Sequence, residues 1–249
     1  MGYVSSSDAD AIIGVLGGMG PSATLELYRR FIAAVDVVGD QDHPRIIIDS
    51  NARIPDRTAA LINGGASPQQ ALIDGVTLLE RAGVQCVVIP CNTAHAFRPA
   101  MQASVSVPVI DMIAETAARV APDVTRVGVL ASSGTLAVGL YQKALAAHGV
   151  TDCVVPEPDD QLALMDVIWA VKREANDAAL PAFLAICDRV VAAGAQTLIL
   201  GCTELSVLAE GVVLPVPAVD PLDALVDTAL TTVGYRKVNP QVVHSTATV

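Results

Sequence analysis

Two cysteines stand where apolar runs give way to polar, helix-starting residues: Cys91 in "VVIPCNTAHAF" (87–97) and Cys202 in "TLILGCTELSVL" (197–208). Thiols at the ends of two separate strands suit one kind of chemistry. A thiolate can take a proton from an acidic carbon while a thiol on the opposite face returns one, and the two exchange roles with direction. An ordinary cysteine titrates near 8.5, and a helix N-terminus lowers that value, so Asn92-Thr93 and Thr203-Glu204 are expected to help poise a base near neutrality. The backbone N–H groups there could also hold a carboxylate. Cys86, Cys153 and Cys187 fall inside apolar strands or helices and read as small core hydrophobes.

Short β-branched runs alternate with amphipathic stretches, the pattern of a parallel α/β protein. Strands are predicted at "AIIGVLG", "RIIIDS", "CVVIP", "VPVID", "RVGVLAS", "CVVPEP", "TLILG" and "VPAVD". Helices are predicted over 22–35, 68–82, 134–147 and 180–193. The halves correspond. Gly14 to Cys91 spans 77 positions and Gly128 to Cys202 spans 74, while Cys91 to Asp111 is 20 and Cys202 to Asp220 is 18. Three landmarks in one order at matched spacing indicate an internal duplication. The expected architecture is two similar parallel-sheet lobes, residues 11–112 and 113–220, related by a pseudo-twofold axis. A helix over 221–235 is expected to pack back on the first lobe. Ligands of open parallel sheets sit beyond the carboxyl ends of the strands, which puts both thiols at one cleft.

Composition narrows the classes. Apolar residues make up 52% of the 249, aromatics 3%, and the net charge is −11. A nucleic-acid or anionic-membrane surface needs clustered Lys and Arg, so neither partner is expected. Five cysteines without ligand spacing argue against a disulfide framework or a structural zinc and for a reducing, cytoplasmic setting. "MGYVSSSDAD" lacks a basic n-region, and "NPQVVHSTATV" reads as a loose end.

The motifs "GVLGGMGP", "NARIPDRT", "IPCNTAH" and "LGCTEL" together resemble those of the aspartate/glutamate racemase superfamily, in particular its aspartate racemase branch, over residues 12–233. The resemblance implies a pyridoxal-phosphate-independent racemase that needs no cofactor or metal, works from a cleft between two lobes, and is commonly a homodimer. It implies that Cys91 and Cys202 are the acid/base pair. Asn92, Thr93 and Thr203 would hold the α-carboxylate and amino group, Met19 would line the substrate, and Arg57 and Lys172 would meet its carboxylates. Asn51 joins the substrate-binding set through "NARIPDRT". Ser132 and Thr135 are candidates for the second-lobe polar wall, where "LASSGT" departs from the Ala-Thr or Thr-rich version of relatives. Single-cysteine relatives, the arylmalonate decarboxylases, protonate one face only, and this chain keeps both thiols. Aspartate is the expected substrate, with glutamate, another amino acid or a related acid as alternatives.

Several of these residues have plainer readings. Lys172 follows the apolar stripe Leu162, Met165, Ile168 and Trp169, where a lysine either snorkels to the rim or meets an anion. Arg57 beside Asp56 could be a solvated surface charge. His95, four positions after Cys91, could relay a proton or simply fix the turn, and it is left out of the catalytic set. His43, His148 and His244 read as surface residues, and Asp111 and Asp220 as helix caps. "GMGPSA" formally satisfies the dinucleotide-binding pattern before Asp49 of "RIIIDS", but that reading leaves both thiols idle. A non-catalytic binder of a small acidic metabolite is the other rival.

Overall fold

The computed structural model describes residues 2–5 and 11–238. The chain runs β1 (Gly2–Ser5), β2 (Ile12–Gly17), α1 (Pro21–Ala34), β3 (Arg45–Ser50), α2 (Arg57–Ile62), α3 (Gln69–Arg81) and β4 (Cys86–Val88). A 3-10 turn at Thr93–Phe97 precedes α4 (Arg98–Ser104) and α5 (Met112–Ala117). Next come β5 (Arg126–Ala131), α6 (Ser133–Ala137), α7 (Leu140–Ala147), β6 (Asp152–Val154), α8 (Pro158–Lys172) and α9 (Asn176–Ala192). The chain closes with β7 (Thr197–Gly201), α10 (Thr203–Leu208), β8 (Ala218–Val219), α11 (Pro221–Thr232) and β9 (Tyr235–Val238). Among the described residues no helix is long and apolar enough to cross a membrane.

Two parallel sheets carry the molecule, in the orders β3-β2-β4 and β6-β5-β7-β8. The strand order of the first recurs in the second, and the cysteine-bearing turns come after the corresponding strands β4 and β7. The first sheet lacks a full counterpart of β8. "VPVID" contributes only a single parallel bridge, Val87 to Val109, in place of the expected strand.

Both faces of each sheet are covered, which is why the strands read as continuous Val/Ile/Leu runs. On β2, Ile13 and Val15 pack with Leu27 and Phe31 of α1 and with Leu222, Leu225 and Leu230 of α11. Ile12 and Leu16 face the other way, onto Leu72, Val76 and Leu79 of α3 and Met101 of α4. In the second sheet, Val127 and Val129 meet Tyr141 and Leu145, while Leu130, Leu198 and Leu200 meet α8 and α9. The first core passes to the second within α5, where Met112 belongs to one and Ile113 and Ala117 to the other.

Three elements differ from expectation. The helix predicted over 134–147 is two helices, because Gly139 takes a left-handed φ of 66° that ends one and starts the next. The helix predicted to 235 stops at Thr232, and Tyr235–Val238 instead pairs antiparallel with Gly2–Ser5. Period and punctuation give no sign of that pairing, since both segments are short and their partner lies at the far end of the chain. The "NPQVVHSTATV" tail lies outside the described residues.

Candidate active site

The two cysteine turns are built differently. After β4 the chain runs through Ile89 and Pro90, and the N–H of Cys91 donates to the Ile89 carbonyl at 2.7 Å. The chain then enters the 3-10 turn at Thr93–Phe97, not the α-helix start expected from the sequence. His95, buried in that turn, accepts the Met112 N–H at Nε2 (3.2 Å), so its Nδ1 carries the hydrogen and donates to the Cys91 carbonyl at 2.9 Å. Burial holds its pKa below the ordinary value and the ring neutral. His95 therefore fixes the turn. Cys202 is the N-cap residue of α10, and Thr203 Oγ1 donates to the Pro90 carbonyl at 3.1 Å, joining the second turn to the first.

Both thiols are nearly buried, at 6% and 9% exposure, and both line one cavity of about 40 Å³. A vestibule of about 300 Å³ adjoins it, and the two share Met19, Asp56, Arg57, Trp169, Lys172 and Glu204 in their walls. The glycine turn before α1 rims this vestibule. Gly18 has φ +86°, and a Cβ there would lie 2.4 Å from the Asn51 backbone, so only glycine lets the two loops meet.

Asn92 and Thr93 form the polar wall. Asn92 Oδ1 accepts the Tyr141 hydroxyl at 2.5 Å, while its buried Nδ2 has no partner. Thr93 Oγ1 lies 2.9 Å from both Ser132 Oγ and Thr135 Oγ1, which are 3.1 Å apart. Ser132 reaches the cavity, whereas Thr135 is not among its wall residues and backs the other two hydroxyls. Asn51 is also outside the wall. Its Oδ1 accepts the Arg53 N–H at 3.0 Å, which makes it a loop-forming residue.

The cations are not loose surface charges. Arg57 donates to the carbonyls of Ile54, Pro55 and Met19 at 3.1–3.2 Å, and its buried Nε is left without a partner. Met19 itself is buried and lines the cavity. On α8, Met165, Ile168, Trp169 and Lys172 face the cavity, but Leu162 of the expected stripe points to solvent. Lys172 Nζ is paired with Glu204 Oε1. Burial alone would lower the lysine's pKa, but the Glu204 charge and the hydrogen bond to it outweigh burial and raise it.

Glu204 is a site residue that the sequence places only at a helix start. It is buried, and its Oε2 accepts the Cys202 thiol at 3.0 Å. Burial and this carboxylate push Cys202 well above the usual thiol range, against the pull of Lys172. The expectation that the helix start would lower it fails because desolvation and an adjacent negative charge outweigh one short helix. The available signal was an acid two positions after a strand-end cysteine, inside an otherwise apolar "LSVL" context.

Two nearly buried thiols, each in the turn after a corresponding strand of two like-ordered sheets, thus line one cavity. The Asp/Glu/hydantoin racemase family model matches residues 16–229, and the chain belongs to this family. It is an enzyme of the isomerase class. A broad-specificity amino-acid racemase of Bacillus subtilis is 27% identical over 225 residues, 89% of this chain and 97% of its own. An aspartate racemase of Picrophilus torridus superposes with a TM-score of 0.83 at 28% identity, covering 92% of this chain and 96% of that one. The glutamate racemase of Campylobacter jejuni shares the fold, with a TM-score of 0.62 at 21% identity over 92% and 88% of the two chains.

Proposed function

We propose that this enzyme interconverts L- and D-aspartate without an organic cofactor or metal, using Cys91 and Cys202 as the two acid/base groups. The observation that carries the reading is that both thiols open on one cavity. One sulfur, as thiolate, takes the α-proton as the Cα–H bond breaks. The other, as thiol, gives its proton to the opposite face of the resulting carbanion. Asn92 Nδ2 and Arg57 Nε are buried donors without partners, and a carboxylate is the group that satisfies such donors. Thr93, Ser132 and Thr203 complete the polar wall around the α-carboxylate and amino group, with Met19 beneath. The likeness to the Picrophilus aspartate racemase supports aspartate.

A second reading, racemisation of a range of amino acids, is favoured by the apolar cavity wall of Met165, Ile168 and Trp169 and by the Bacillus relative. Five unpaired cysteines suit the cytoplasm, and the family resemblance favours a homodimer. The test is proton NMR of L-aspartate, L-glutamate and L-methionine with the purified enzyme in D2O under reducing conditions. Aspartate losing its α-proton fastest, with D-aspartate appearing, supports the first reading. Comparable rates on methionine favour the second, and exchange without inversion for every substrate would sink the two-thiol mechanism.

A further inference from the structure

The two cysteine turns differ two residues after each thiol, and that difference has a chemical meaning. Two residues after Cys202 stands Glu204, whose carboxylate touches the thiol. Two residues after Cys91 stands Thr93, whose hydroxyl is neutral and bonded to Ser132 and Thr135. A carboxylate can only accept, so the hydrogen between Cys202 Sγ and Glu204 Oε2 belongs to sulfur. The other oxygen, Oε1, is occupied by Lys172. With 3% exposure, Glu204 has both oxygens committed in a largely buried position, where its field on the neighbouring sulfur is strong.

We propose that Glu204 is a positioning residue that holds Cys202 as the thiol and makes the resting site asymmetric, with Cys91 serving as the base. This rests on the two-thiol reading of the reaction. The substrate enantiomer whose α-hydrogen faces Cys91 loses it to that sulfur, and the carbanion takes the proton of Cys202. The charge formed on Cys202 then lies beside the Glu204 carboxylate, where the Lys172 ammonium offsets it. After release, the proton on Cys91 passes to solvent and Cys202 is reprotonated, which restores the resting form. The titratable and charged groups in the cavity wall with Cys202 are Glu204 on its own helix, Lys172 on α8, Asp56 and Arg57 at the start of α2, and Cys91. The pair is also open to the vestibule. Gly20 lies above it with no side chain, where a Cβ would sit 3.2 Å from Glu204 Oε1 and 3.6 Å from Lys172 Nζ.

The experiment is a titration of thiolate ultraviolet absorbance against pH in three proteins: Cys91→Ala, Cys91→Ala with Glu204→Gln, and Cys91→Ala with Lys172→Met. All three proteins also carry Cys153→Ser, which removes the one half-buried thiol, and burial pushes Cys86 and Cys187 to about 12, at the top of the titrated range. Glu204→Gln is expected to lower the Cys202 midpoint by about one pH unit or more, a tenfold or larger change in thiolate fraction. Lys172→Met is expected to raise it. Shifts in the same direction, or an unmoved midpoint in Glu204→Gln, overturn the proposal. Should the double variants fail to fold, iodoacetamide labelling of the native enzyme, read by peptide mass, decides. Cys91 alkylated ahead of Cys202 supports the asymmetry, and the reverse order overturns it. Neither readout requires turnover, so a failure of the racemase reading leaves both results interpretable.

Discussion

The hydroxyl of Thr203 donates to the Pro90 carbonyl at 3.1 Å, so the turns carrying the two cavity-lining cysteines are joined directly across 113 positions of chain. The separation of Cys91 and Cys202 is thus set by a local bond as well as by the packing of two sheets. Thr203→Val keeps the shape and removes the donor, leaving a buried carbonyl unsatisfied. A loss of about 1–3 kcal/mol in urea unfolding is expected, together with a fall in kcat. An unchanged kcat would show that the lobes hold the sulfurs in place without this link.

The two-thiol proposal assigns one face of the substrate to each sulfur. Cys91→Ala and Cys202→Ala are each expected to abolish racemisation while leaving the fold intact. In D2O, each variant is expected to exchange the α-proton of at most one enantiomer. Chiral chromatography of the products, alongside NMR of the exchange, checks both statements. Inversion persisting in either variant would contradict the assignment.

Arg57 is held by three carbonyls that a lysine cannot reach together, since the planar guanidinium supplies donors in a fixed fork. Arg57→Lys is expected to raise KM for aspartate about tenfold or more, corresponding to loss of a charge-assisted hydrogen bond of roughly 1.5–3 kcal/mol. Steady-state kinetics with circular dichroism separate this from misfolding. An unaltered KM would remove Arg57 from the substrate-binding set.

His95 ties stability to acid. Its folded-state pKa lies below the ordinary 6.5, so the unfolded chain binds the proton more readily. Its contribution is complete above about 6.5 and is lost as pH falls through the depressed folded value. Urea midpoints measured from neutral to mildly acid pH are expected to decline, and His95→Gln to flatten that decline while lowering stability at neutrality. A parallel decline in both proteins would assign the acid sensitivity to other groups.

The repeat is legible because buried parallel strands are apolar throughout and end at recognisable polar residues. Cys91 and Cys202 can therefore be placed at strand ends from the sequence. The caps are legible for a similar reason: Asp111 and Asp220 accept from Ala114 and Leu222 as helix-start acids do. Residues whose role comes from partners distant in sequence are not legible. Glu204 becomes interpretable only once α8 brings Lys172 to it, and Asn51 keeps its motif position but spends its side chain on its own loop. The terminal strand pair is hidden for the same reason, because neither segment can declare a partner more than two hundred positions away.

Trp169 has one more consequence. It is the chain's only tryptophan, it is 43% exposed, and it stands in the walls of both the thiol cavity and its vestibule. Indole emission shifts colour and intensity with the polarity around the ring, and no second indole dilutes the signal here. The molecule thus carries a built-in optical gauge of whether its cleft is empty, filled or closed, readable in the unlabelled protein on the stopped-flow timescale.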